Sequence, residues 1–224
     1  MRVLIAGFPA AAFGTNCYVL APAAGEQCVV VDPGVDVVDR LDEVVREHRL
    51  QPVAVLLTHG HLDHVFSVTP VCGARDVPAY LHPDDRYRLV DPVATLSPDL
   101  AQLFGGLAWT EPADVRPLED GGVVRLAGLE LTVDHAPGHT EGSVLFRVPG
   151  DGAEPAVCLA GDVLFAGSIG RTDLSGGDHA AMLRSLATKV LPLADETVVL
   201  PGHGPATTIG RERATNPYLA ELRH

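Results

Sequence analysis

Thr58-His59-Gly60-His61-Leu62-Asp63-His64 is the stretch from which the rest of the chain is read. It follows directly on Val53–Leu57, an apolar run with the composition of a buried strand. Packing alone asks for no such polar ending. Three imidazoles and a carboxylate lie within six residues, and the imidazoles would repel once protonated unless a cation organised them. In an extended turn His59 and His61 project to the same side, because side chains alternate with period two, and Gly60 between them permits a tight backbone. Asp63 and His64 then open a helix and face the same space from another direction. One loop can thus serve two metals, His59 and His61 for the first, Asp63 and His64 for the second. Borderline metals favour this donor set, zinc first, with iron and manganese as alternatives.

Three further residues fit the same design. His139 lies in "APGHTEGS" between two strands, Asp162 ends the strand "AVCLAGD", and His203 sits in "LPGHGP". Singly, each is an ordinary loop residue. Together they share a pattern: each flanks an apolar strand, with a glycine beside it that allows close backbone approach. A lone carboxylate such as Asp162 can bridge two cations. An internal echo supports the grouping. "CVVVDPG" ends a strand at Asp32 and "CLAGD" ends one at Asp162, while "VLLTHGH" and "VVLPGHG" both run from an apolar strand into Gly and His. Two similar halves would each deliver a carboxylate and then imidazole from strand ends, and the functional groups would meet at one edge of the molecule. Two divalent cations against Asp63 and Asp162 leave a local positive excess, which attracts an anionic substrate. They also lower the pKa of a bridging water and so supply a nucleophile.

The surrounding chain is that of a globular protein. It has 224 residues, 46% of them hydrophobic and 20% charged, which suits a sizeable core and excludes a disordered polyampholyte. Net charge is −13, with 29 acidic against 16 basic residues, which argues against a nucleic-acid surface. No apolar run approaches the length of a membrane span. Arg2 ahead of an apolar stretch ending in Ala10-Ala11-Ala12 imitates a secretion signal, but Gly7 and Pro9 break it and "RVLIAGF" reads as a first strand. The expected location is cytoplasmic, where Cys17, Cys28, Cys72 and Cys158 are small buried residues rather than disulfide partners.

Strands are expected at Arg2–Phe8, Cys17–Ala21, Gln27–Val31, Val53–Leu57, Val77–Leu81, Val123–Leu126, Leu129–Asp134, Ser143–Val148, Ala156–Ala160 and Thr197–Leu200. Helices are expected at Val37–His48, His64–Cys72, Pro83–Val90, Pro98–Phe104 and Asp178–Val190, with Asp178 as an N-cap. Val115–Val148 reads as an antiparallel meander, so the expected class is α+β with mixed sheets covered by helices. No linker divides the chain, which is read as a single domain over 1–224. Residues 83–112 form a lid-like insertion, and 208–224 a short helical tail.

"THGHLDH", "PGHTEGS", the Asp of "LAGD" and "LPGHGP", in this order, resemble the metallo-β-lactamase superfamily, over nearly the whole chain from Asp32 to His203. "FGTNCYVL", "VVVDPG" and "GDVLFAGSIGRTDLSGG" resemble its hydroxyacylglutathione hydrolase (glyoxalase II-like) branch. The resemblance implies a four-layer αβ/βα sandwich of two mixed β-sheets flanked by helices, with metals at the edge between the sheets. It implies that His59, His61 and His139 bind the first metal, that Asp63, His64 and His203 bind the second, and that Asp162 bridges. Asp32 would support the metal loop from behind, and Arg171 would contact substrate. Full-length glyoxalase II enzymes carry a long C-terminal helical domain, and with about twenty residues after His203 no counterpart of it is expected here.

The expected reaction is hydrolysis of a small anionic acyl thioester, such as a hydroxyacylglutathione-type substrate, by a metal-bridging hydroxide. A thiolate leaves with little protonation, and Asp63 passes on the leftover proton, so Asp63 and Asp162 carry the catalytic roles. Three competing readings remain: a lactonase or β-lactamase on the same site, a mononuclear iron persulfide dioxygenase using His59, His139 and Asp162, and a non-catalytic metal-binding domain. The sequence does not fix the oligomeric state.

Overall fold

The computed structural model describes residues 3–93, 95, 96, 101, 102, 104, 106 and 108–222. Its strands fall into two six-stranded sheets. The first contains β1 (Leu4–Pro9), β2 (Asn16–Ala21), β3 (Gln27–Val31), β4 (Gln51–Leu56), β5 (Ala79–Leu81) and β6 (Val115–Pro117), in that order. The second contains β7 (Val123–Leu126), β8 (Leu129–His135), β9 (Val144–Val148), β10 (Val157–Gly161), β13 (Val198–Pro201) and β14 (Thr207–Thr208), ordered 14-13-10-9-8-7. A small hairpin of β11 (Leu164–Phe165) and β12 (Ser168–Ile169) stands apart. Both large sheets are mixed: β3 to β6 run parallel, as do β10 and β13.

Alternation along the strands explains the layering. Val29 and Val31 of β3 face the second sheet, where they join Leu56, Leu131, Val133, Phe146 and Leu159 in one buried cluster. Cys28 and Val30 point the other way, onto α1 (Val38–His48) and α3 (Val68–Arg75) through Leu41, Val44, Val68 and Val71. On the far side, Cys158, Ala160 and Val199 pack under Met182, Leu186, Ile209 and Leu219. The order helix, sheet, sheet, helix is the four-layer sandwich. All four cysteines are buried and free. Among the described residues, no helix is long and apolar enough to cross a membrane.

The two parallel pairs give the sequence echo a structural meaning. Asp32 follows β3 and the histidine loop follows its parallel neighbour β4; Asp162 follows β10 and His203 follows its parallel neighbour β13. All four groups therefore leave the carboxyl ends of strands, where crevices form in parallel sheets.

Several boundaries differ from expectation. The helix expected over His64–Cys72 is two: α2 (Leu62–Val65) and then α3. Ser67 divides them, its amide donating to Pro33 O (2.9 Å) and its hydroxyl to Gly34 O (2.6 Å). The helix expected over Pro83–Val90 opens with a tight turn at Pro83–Asp85 before α4 (Arg86–Val90). The meander begins only at β7, because β6 pairs parallel with β5 in the other sheet. The helix from Asp178 is capped as expected, the Asp178 side chain accepting from Ala181 N, but after α5 (His179–Ser185) it widens into a π-turn over Leu186–Val190. Most of the expected helix Pro98–Phe104 lies outside the described residues. From the insertion, Trp109 donates its indole N–H to Leu89 O (2.7 Å). The tail carries α6 (Ile209–Thr215) and α7 (Pro217–Glu221).

Candidate metal centre

The structure brings His59, His61, Asp63, His64, His139, Asp162 and His203 to one place at the edge between the sheets. Their donor atoms form overlapping groups, each within 4.8 Å: His59, His61 and His139; His59, His64 and Asp162; Asp63, His64 and His203. His61 Nδ1 and His139 Nε2 are 2.8 Å apart. His203 Nε2 lies 3.2 Å from Asp63 Oδ2 and 3.5 Å from Asp162 Oδ2, while His64 Nε2 lies 3.3 Å from Asp162 Oδ1. His139 Nε2 lies 3.5 Å from Asp162 Oδ2, so Asp162 touches residues of both outer groups. Gly202 makes this approach feasible, since a Cβ there would sit 2.1 Å from Asp162 Oδ1 and 2.7 Å from His64 Cε1.

The backs of the rings are held by the fold. Asp32, buried and in the left-handed region (φ 49°), accepts from the Thr58 amide (2.8 Å), the Thr58 hydroxyl (2.6 Å) and His64 Nδ1 (2.9 Å). With its hydroxyl proton given to Asp32, Thr58 Oγ1 is left to accept from His59 Nδ1 (3.1 Å). His139 Nδ1 donates to Arg171 O (2.8 Å). Each of these bonds places the ring proton on Nδ1 and leaves the Nε2 lone pair facing inward, which is how metal-ligating imidazoles are oriented.

Two observations test whether cations fit. His59 Nε2 and Asp162 Oδ1 are buried with no hydrogen-bond partner; the close approach of His64 to Asp162 is not directed as a hydrogen bond. Buried polar atoms are seldom left in this state, and a cation would satisfy both. The ring nitrogens of His61 and His139, at 2.8 Å, need a proton or a cation between them. The donor set and geometry suit divalent metals.

Electrostatics divides the cluster. Burial, reinforced by neighbouring imidazoles, holds His59 well below the usual histidine range, pushes His61 down to about 3 and lowers His139. Burial also opposes charge on His64 and His203, but there it loses: Asp162 and Asp63 raise both imidazoles. Asp63 and Asp162, likewise opposed by burial, are held below the carboxylate range chiefly by His64. One half of the cluster is therefore neutral and ready to ligate. In the other half, protons compete with cations for the same positions.

A cleft of 610 Å³ opens over the cluster, lined by Asp63, His139, Asp162 and His203 at its floor and by Phe13, Leu96, Phe104 and Phe165 among its walls. A larger hollow of 690 Å³, between Ile5, Pro22 and Val157, carries no histidine. Arg171 lines the cleft, and its guanidinium is held in a bidentate pair with Asp173 (2.7 and 2.8 Å). His135 donates to Glu141 O (2.8 Å) and stacks on His82 with centroids 3.9 Å apart.

Two supporting residues escaped the sequence reading. Asp85 is fully buried and accepts from Gly60 N (2.7 Å), Thr140 Oγ1 (2.7 Å) and Gly142 N (2.9 Å). It fastens the loop of His59 and His61 to the loop of His139. Thr15 donates to Asp63 Oδ2 (2.8 Å) and forms a β-bridge with His203. "HPDD" opens an expected helix and "GTN" precedes an expected strand, so neither motif signals a link to residues so far away in sequence.

Residues 10–203 match the metallo-beta-lactamase superfamily. An uncharacterized protein of Mycobacterium tuberculosis is 48% identical over 222 residues, covering 98% of this chain and 99% of its own. The hydroxyacylglutathione hydrolase GloC of Haemophilus influenzae is 35% identical over 213 residues, covering 94% of this chain and 95% of its own. Among solved structures, the B3 metallo-beta-lactamase BLEG-1 superposes with a TM-score of 0.85 at 38% identity, covering 96% of this chain and 99% of that one. TTHA1623, solved in a di-iron-bound form, superposes at 0.78 with 41% identity, covering 96% and 100%. The chain belongs to the metallo-β-lactamase superfamily. Within that class it is a metallo-hydrolase with a His/Asp cluster suited to divalent metals.

Proposed function

We propose that the protein hydrolyses a small acyl thioester at a dinuclear centre. His59, His61 and His139 would hold one cation, and Asp63, His64 and His203 the other, with Asp162 shared. Zinc is the first choice by donor chemistry, with iron or manganese possible in the same set. The carrying observation is the convergence of all seven side chains with inward donors left unsatisfied at His59 and Asp162. Convergence of Asp63 and His203 favours two ions over the single ion of the dioxygenase reading. Bound divalent cations supply Lewis acidity and acidify a coordinated water.

The chain's own residues do the rest. Asp32, Thr58 and Arg171 O fix the rings by their outer nitrogens, so no reorganisation is needed at the moment of reaction. Asp63, held ionised and partly open to the cleft, is the group assigned to pass on the leftover proton. The leaving thiolate, with a pKa near 8.5 for a cysteine-like thiol, needs little protonation. The name of the Haemophilus influenzae relative supports the thioester class. The test is metal content of the purified protein beside turnover of thioester, lactone and β-lactam panels. Two ions per chain with thioester turnover is the expected result. One iron per chain with oxygen uptake on a persulfide, or turnover of lactams or lactones alone, would overturn it.

A further inference from the structure

The walls of the cleft say more about substrate than its floor does. Resting on the thioester reading above, we infer that the substrate arm beyond the reacting carbonyl is an uncharged alkyl or aryl group packed against Phe13 and Phe104, and not a charged peptide arm such as glutathione.

The first ground is Phe13. It is a large hydrophobic residue 49% exposed, at the mouth of the cleft. Its backbone sits at φ 63°, a left-handed conformation that an aromatic residue rarely adopts. Strain of this kind persists where the surroundings impose it, and such sites cluster at ligand clamps. The surroundings here are explicit. The β1–β2 hairpin that carries Phe13 is closed by Ala10 N to Thr15 O (2.7 Å) and tied to the His203 loop by Asn16 N to Gly202 O (2.7 Å). Thr15 then bonds Asp63 Oδ2 (2.8 Å). The turn that carries Phe13 is thereby fastened to the floor of the site. Its ring neighbour is Phe104, at 6.3 Å between centroids and 32° between planes, and Phe104 leans in turn on Phe66 at 6.3 Å. An apolar group entering the cleft would cover the exposed face of Phe13.

The second ground is charge. Glutathione carries two carboxylates and one ammonium. Arg171 is the one Lys or Arg among the described residues lining the cleft, and Asp173 already occupies its guanidinium with two hydrogen bonds. The described lining residues from the insertion, Thr95, Leu96 and Phe104, carry no charge. Desolvating two carboxylates against this wall would be unfavourable, whereas a hydrocarbon loses nothing there.

The experiment uses metal-loaded full-length protein and two series. One holds the acyl group as acetyl and varies the thiol: benzyl mercaptan, N-acetylcysteamine, glutathione. The other holds the thiol as N-acetylcysteamine and compares lactoyl with phenylacetyl. The expected kcat/KM for the benzyl or the phenylacetyl member exceeds that of its polar counterpart by about tenfold or more. Phe13→Gly should shrink this preference to about twofold while raising Tm, because glycine relieves the left-handed strain. Inert thioethers, with CH2 in place of the carbonyl, give a second reading by calorimetry that needs no turnover. Equal or tighter binding of the glutathione thioether, or a preference that survives Phe13→Gly, would overturn the inference. No hydrolysis of any thioester, with the benzyl thioether still bound about tenfold tighter, would sink the thioesterase reading and leave the apolar arm standing.

Discussion

Asp32 shows how much of the site is decided one atom behind it. Its carboxylate accepts three hydrogen bonds, two from Thr58 and one from His64. Asn tolerates the same left-handed backbone but presents one acceptor oxygen where Asp presents two. Asp32→Asn is therefore expected to keep the fold and to weaken metal affinity about 10–100-fold, read by competition with a chromophoric chelator. Asp162→Ala should lose metal and activity together; metal retained at wild-type stoichiometry would contradict its shared position. His61 gives a pH prediction for the metal-free protein. Its folded pKa is lowered to about 3 against 6.5, chiefly by burial. Between those values the unfolded chain binds more protons, so stability rises with pH there. The contribution is whole above pH 6.5 and fades as pH falls toward 3. Denaturant midpoints across that range should fall with acid, and His61→Gln should flatten the slope.

At the scale of elements, the informative unit is the short segment that begins at Pro83. Asp85 links two loops that are far apart in sequence, and Arg88 beside it is fully buried, donating to Glu141 Oε2 (2.8 Å) and Ser175 O (2.6 Å). Asp85→Ala would leave three donors and a buried guanidinium short of their partner. A loss of about 3–5 kcal/mol is expected, with lower metal occupancy, measured by chemical denaturation and elemental analysis. Strands β1 to β5, β7 to β10 and β13, with α1, were legible in the sequence because their period is set by local burial. The apolar run "QCVVV" and the Leu41, Val44 stripe need no distant information. The seven ligating candidates were legible because polar groups at the ends of apolar strands have no packing reason to be there. Asp85 and Thr15 were not, since their partners are fixed only when the sheets meet. Nor was β6, three residues that could pair with either sheet and whose place is settled by its parallel neighbour β5.

For the molecule as a whole, stability and cofactor are linked. Cations that bind the folded chain alone add about 2.7 kcal/mol at a free concentration 100-fold above Kd. Stripping with a chelator should lower Tm reversibly, and zinc added back should restore it. The inter-sheet core should respond independently of metal: Phe146, fully buried between the sheets, is expected to cost about 3–5 kcal/mol when truncated to Ala. That loss should be equal in the stripped and loaded protein, which calorimetry of the two forms would show.

The donors are shared between the two sheets: four lie within residues 59–64, and the other three are spread over 139–203. Neither half-sandwich carries a complete group of candidate donors by itself. During synthesis the first loop emerges long before its counterparts, so loading waits until the last strands have docked. Filling of both proposed positions would thus act as a check on completed architecture, and a chain interrupted before His203 would lack one donor of the second group.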